Sequence, residues 1–190
     1  MRKFMNSLIN NVYKKLTIIV ILLIGSNNIL AATTTSSFTV TATVAAACTV
    51  AAANLPFGNF TNSADVTVST SLTVSCTNGT VYNIGLGLGS GSGTSTSNRI
   101  MTNTATSGAA LNSILKYNLY LPDTGSPTTC SSYATVWVPA TSSTQTSGNY
   151  YGTGNGSNQT ISVCGKVPLT GNSGAYIGSY TDVITVTLFY

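Results

Sequence analysis

The sequence predicts an all-β protein, a sandwich of short antiparallel strands. Three observations carry this expectation. Apolar residues recur at every second position in several runs, the period of a half-buried strand. Clusters of Gly, Ser, Thr and Asn over 89–98, 122–132, 141–158 and 170–178 separate those runs. Beyond the N-terminal leader, no run has the period of a helix.

Taken in order, the first alternating run is "FTVTATVAAAC" (38–48), with Phe38, Val40, Ala42 and Val44 on one parity and Thr39, Thr41 and Thr43 on the other. Cys48 then begins a strand through Val50. "ADVTVSTSLTVSC" (64–76) alternates through Val66, Val68, Leu72 and Val74. "VYNIGLGL" (81–88) sets Tyr82, Ile84, Leu86 and Leu88 on one face, and "ILKYNLYL" (114–121) does the same with Leu115, Tyr117, Leu119 and Leu121. "YATVWVP" (133–139) and "QTISVCGKVP" (159–168) are shorter strands that each end at a proline. "SYTDVITVTLFY" (179–190) closes the chain with Ile184, Val186, Leu188 and Tyr190 on one parity. The polar stretch 141–158 is long for a loop, so it is either exposed or hides a weak edge strand.

Residues 1–32 read as a signal peptide. Arg2, Lys3, Lys14 and Lys15 form a basic start, "LTIIVILLIG" (16–25) is a short apolar run, and Ala31 and Ala32 supply small residues for cleavage. The net charge of +4 belongs to this leader. Beyond it, Arg99, Lys116 and Lys166 balance Asp65, Asp123 and Asp182. With 5% charged residues in the whole sequence and a balance of charge beyond residue 32, the chain offers no nucleic acid a footprint. Such a surface suits a molecule largely packed into an assembly.

The composition is poorly equipped for catalysis. There is no His, and the three acidic residues are scattered Asp, so neither a triad nor a carboxylate pair is expected and no catalytic residue is assigned. No cofactor or metal is expected either. "GLGLGSGSG" (85–93) lacks the following helix that a phosphate loop needs, so it reads as a turn. Four cysteines, none in a C-x-x-C pair, fit two disulfides in an oxidising compartment. Of the three connectivities, Cys48–Cys76 with Cys130–Cys164 is favoured. Cys48 shares parity with Val50, and Cys76 with Leu72 and Val74, so both thiols of the first pair point inward. Tyr133, Trp137, Tyr150 and Tyr151 are the residues that a carbohydrate-binding surface would use, although core packing accounts for them more simply.

"FTVTATVAAACTV…LPFGNF" (38–60), "LTVSC" (72–76), "LKYNLYL" (115–121) and "GSYTDVITVTLFY" (178–190) together resemble the spore coat protein U domain. That domain is shared with pilins of the archaic, Csu-type chaperone–usher pathway. The markers are Cys48, Phe57-Gly58, Cys76 and Gly178-Ser179-Tyr180-x-Asp182, and Cys130 and Cys164 lie outside them. The resemblance implies an incomplete immunoglobulin-like β-sandwich that lacks its final strand and is completed by a donated N-terminal strand. The chain then divides into a leader (1–32), a donor extension and hinge (33–47) and the sandwich (48–190). Phe38, Val40, Ala42 and Val44 become the donor plugs, and Ile184, Val186, Leu188 and Tyr190 the strand beside the groove. The resemblance further implies a structural pilus subunit serving adhesion and biofilm formation. Its partners would be neighbouring pilin subunits, a periplasmic chaperone and an outer-membrane usher, and its location the bacterial cell surface, reached through the periplasm. Alternatives are a secreted spore-coat-type protein outside any pilus and, less favoured, a secreted carbohydrate-binding module.

Overall fold

The computed structural model describes residues 5–15, 31–111 and 113–190. The apolar leader run at 16–25, with the basic Arg2 and Lys3, lies outside the described residues. Residues 5–15 are helical, and no described helix is long and apolar enough to cross a membrane. The chain divides into two compact units, Met1–Ala42 and Thr43–Tyr190. In the first, residues 31–42 carry no strand.

The second unit is built from antiparallel strands. They are β1 (Cys48–Ala52), β2 (Val66–Cys76), β3 (Val81–Leu86), β4 (Arg99–Asn103), β5 (Ile114–Tyr120), β6 (Tyr150–Thr153), β7 (Asn158–Val167), β8 (Tyr180–Thr181) and β9 (Val186–Phe189). One sheet has the order β1-β2-β7-β5-β4-β8, and the other β6-β3-β9. Leu72, Val74, Ile84, Leu86, Leu119, Ile161 and Val163 form the core between them, in the alternation the sequence shows. Tight turns at 77–80 and 154–157 hold β2 to β3 and β6 to β7, with Gly79 and Gly156 at positive φ.

Two expected runs fold differently, one open alternative is decided, and β4 matches no expected run. The run 133–139 makes no strand. Val136 forms an isolated bridge with Tyr120, and the chain then folds over β3 as a cover. Trp137 is fully buried, donates from Nε1 to Ile84 O at 2.8 Å and stacks near Tyr150, so it presents no face to a sugar. The stretch 141–158 does hide an edge strand, β6. The closing run is divided. Its start pairs with β4 as β8 and its end pairs with β3 as β9, so residues 182–185 pass from one sheet to the other.

Cys48 and Cys76 face each other in the β1–β2 register and are bonded, with a Cα separation of 4.1 Å. Cys130 is bonded to Cys164 of β7 across 5.5 Å between Cα atoms. The segment before β1 is anchored at its end. Thr77 donates its N–H to Ala47 O at 2.9 Å, and its hydroxyl lies 3.3 Å from Ala45 O. Ala45 and Ala47 are thus tied to Thr77, although residues 45–47 form no strand.

Candidate functional site: an open groove between two sheet edges

β1 pairs only with β2, and β9 only with β3, among the described residues. Each therefore leaves one edge of backbone N–H and C=O groups outside any ladder. The two edges face each other, and the gap widens beyond Ala52. There a cavity of about 370 Å³ opens between residues 52–57 on one bank and 180–186 on the other. Leu72, Leu86, Tyr117, Leu119 and Val163 form its floor, all of them core residues. A second cavity of about 740 Å³ follows between 55–62 and 172–180. The two share Leu55, Phe57, Met101 and Tyr180, so they are successive stations of one groove. An apolar floor that continues the gap between two unpaired strand edges is a template for another strand.

The banks are held by specific contacts. On the first, Leu55 and Phe57 lie against Gly165, where a Cβ would meet Leu55 Cδ2 at 2.6 Å and the Phe57 ring at 2.9 Å. Phe57 also packs its edge on Tyr117, ring centres 5.7 Å apart. On the second, the Tyr180 hydroxyl donates to Tyr176 O at 2.7 Å and sits 2.8 Å from Ser113 Oγ. Asp182 accepts from Ser90 N at 2.6 Å and from the Tyr117 hydroxyl at 2.7 Å. Burial, and then the bond to Asp182, push the Tyr117 phenol far above its ordinary value, so it stays protonated and remains a donor. Beneath lies the fully buried Arg99 guanidinium, which donates to Gly87 O, Leu86 O, Trp137 O and Asn118 Oδ1. Burial lowers its pKa, and the nearby Tyr117 and Asp182 oppose that shift.

The model of the Spore Coat Protein U domain family matches residues 34–187. The chain belongs to that family. Among solved structures it is similar to the CsuC–CsuE chaperone–tip adhesion subunit pre-assembly complex from the archaic chaperone–usher Csu pili of Acinetobacter baumannii. The identity there is 18% and the TM-score 0.49, over 78% of this chain and 40% of that one. The chain thus spans less than half the length of that structure's matched chain. No curated protein matches the sequence.

The Spore Coat Protein U match takes in the segment carrying Phe38, Val40, Ala42 and Val44, all solvent-exposed, with Phe38 88% and Val40 80% open. Of the four residues expected beside the groove, Ile184 and Val186 line it. Leu188 packs against the core within β9, and Tyr190 is exposed beyond it. The family's markers also acquire contacts here: Phe57 on the first bank, Tyr180 and Asp182 on the second. Met101 went unnoticed in the sequence because β4 is a short run with a polar residue at each end. Arg99 gave no signal, since a buried arginine reads as an exposed one. Among the described residues no cluster of His, Cys, Asp or Glu could hold a metal.

Proposed function

We propose that the chain is a structural subunit of a chaperone–usher surface pilus that polymerises by donor-strand complementation. The observation that carries this reading is the groove, which opens over core residues where the unpaired edges of β1 and β9 end. Residues 38–44 carry the matching pattern, exposed apolar side chains at every second position of a segment that pairs with no strand among the described residues. Inserted in a neighbour's groove, Phe38, Val40 and Val44 would each contribute ~1.5–3 kcal/mol through burial, and the backbone ladder would fix direction. Ala42 fits a shallow point of the trough. Donor and groove are different surfaces, so the contact is heterologous and repeats into an open filament.

Until a neighbour arrives, the groove needs a cover. A periplasmic chaperone supplies it in this reading, and an outer-membrane usher passes the subunit to the cell surface, where the fibre serves adhesion and biofilm formation. The test is electrophoresis of the secreted protein without heating or denaturant. A ladder of non-covalent polymers is expected, and deletion of residues 33–44 should abolish it. Equal ladders from both chains would remove the donor role. A ladder without any dependence on a chaperone would point instead to a spore-coat-type assembly outside a pilus.

A further inference from the structure

We propose that Asp182 is the positioning residue of the groove: its carboxylate pins the crossover between β8 and β9 and so sets the bank against which a donated strand pairs. The inference rests on the donor-strand reading for its consequence, but its geometry stands alone. Residues 182–185 belong to neither sheet. Between the end of β8 and the start of β9, the crossover is tied at two points. One is the bond from Gly87 N to Thr185 O, 2.8 Å. The other is the Asp182 side chain. Its Oδ1 accepts from Ser90 N at 2.6 Å, from Ser90 Oγ at 2.8 Å and from Val183 N at 2.7 Å. Its Oδ2 accepts from the Tyr117 hydroxyl at 2.7 Å. One carboxylate thus joins the loop after β3, the middle of β5 and the crossover itself, through charge-assisted bonds.

The surroundings are shaped for this carboxylate. Gly89 has φ +92° and no side chain, and a Cβ there would overlap the Asp182 carboxylate. Arg99 spends its donors on Leu86 O, Gly87 O, Trp137 O and Asn118, which fixes the start of the loop that carries Ser90. Asp182 is the one charged residue among those lining the smaller cavity. Ile184, two residues on, lines the cavity and packs against the core, and Val183, also in the lining, is 71% exposed.

The experiment is hydrogen exchange on the full chain kept monomeric, for wild type, Asp182→Asn, Tyr117→Phe and Gly89→Ala. Asp123→Asn serves as control, because Asp123 is a carboxylate with a comparable set of donors outside the groove. Amides 183–187 should exchange at least about tenfold faster in the three groove variants, with β2 and β7 unchanged, as expected for a local opening. The control should leave 183–187 at the wild-type rate. In parallel, uptake of a labelled peptide of residues 33–47 should slow in the groove variants and not in the control. Wild-type exchange over 183–187 in both Asp182→Asn and Tyr117→Phe would overturn the proposal, as would an equal slowing of uptake by the control. Tyr117→Phe removes a single oxygen and keeps the test valid if a harsher variant fails to fold. If wild type takes up no peptide, the donor-strand reading fails, and the exchange rates still decide the role of Asp182.

Discussion

Arg99 is the most consequential single side chain in the sandwich. It is fully buried, and its guanidinium donates to the carbonyls of Leu86, Gly87 and Trp137. Arg99→Met would leave the carbonyls of Leu86, Gly87 and Trp137 short of partners, at about 1–3 kcal/mol each. A loss of at least about 3 kcal/mol is therefore expected in a urea titration. Arg99→Lys should recover little, because an ammonium cannot reproduce the fork. Asp123 sets a different limit. Hydrogen bonds from the Ser131 and Ser132 hydroxyls and backbone amides lower its carboxyl to about 2. An unfolded Asp titrates near ~3.9, so the folded state gains above that value and loses the gain as pH falls toward about 2. Thermal stability should hold from neutral pH to about pH 4 and then decline, and Asp123→Asn should flatten part of that decline. With no His in the chain, little change is expected between pH 5 and 8.

At the scale of elements, β3 has the least freedom. One face lies in the core, and the other is covered by the segment after Trp137, which Asn83 holds through bonds to Ser142 O and Thr144 O. Gly85 permits this cover, since a side chain there would collide with the backbone of Ala140. Gly85→Ala should lift the cover and move the emission of Trp137, the chain's single tryptophan, to longer wavelength. An unshifted spectrum with unchanged stability would show that the cover adapts. Cys48–Cys76 joins β1 to β2 at the edge of the core. Cys130–Cys164 ties the 122–132 loop to β7 across a sequence separation of 34. The paired substitution Cys130→Ala and Cys164→Ala should cost about 3–4 kcal/mol, with the sheets retained by circular dichroism. The division of the closing run into β8 and β9 is an element-scale result with functional weight, because the crossover it creates forms one bank of the groove.

For the whole molecule, the proposed donor-strand assembly would rest on the open groove and the exposed alternating segment. Neither the 38–48 run nor the floor of the groove carries a charge, and the chain beyond the leader is neutral. Polymer growth should therefore depend little on ionic strength between about 50 and 500 mM salt, unlike steered association of charged partners. Phe38→Asp would place a carboxylate in an apolar trough and should slow the ladder at least about a hundredfold, at the few kcal/mol that an unpaired buried charge costs. A strong fall in growth rate with added salt would show that charge, not apolar burial, drives the contact.

The strand content was legible because a period of two follows from backbone geometry alone. The core residues of β2, β3 and β5 follow from the same rule, and Cys48 and Cys76 share the inward parity that brings them opposite each other. The concentration of the net charge in residues 1–32 is also a property of the sequence. Three features depended on folding. Whether 179–190 forms one strand or two is a matter of which edges are free to pair, and its alternation is the same in either case. The burial of Trp137 and Arg99 depends on carbonyls contributed by residues 86–87 and by Trp137 itself, which meet only when β3, β4 and the cover pack together. The groove is a relation between residues 52–62 and 172–186, distant in the chain, so no local pattern encodes it. Alternation says that one face of a strand is buried, and only the assembled sheets say where an edge is left without a partner.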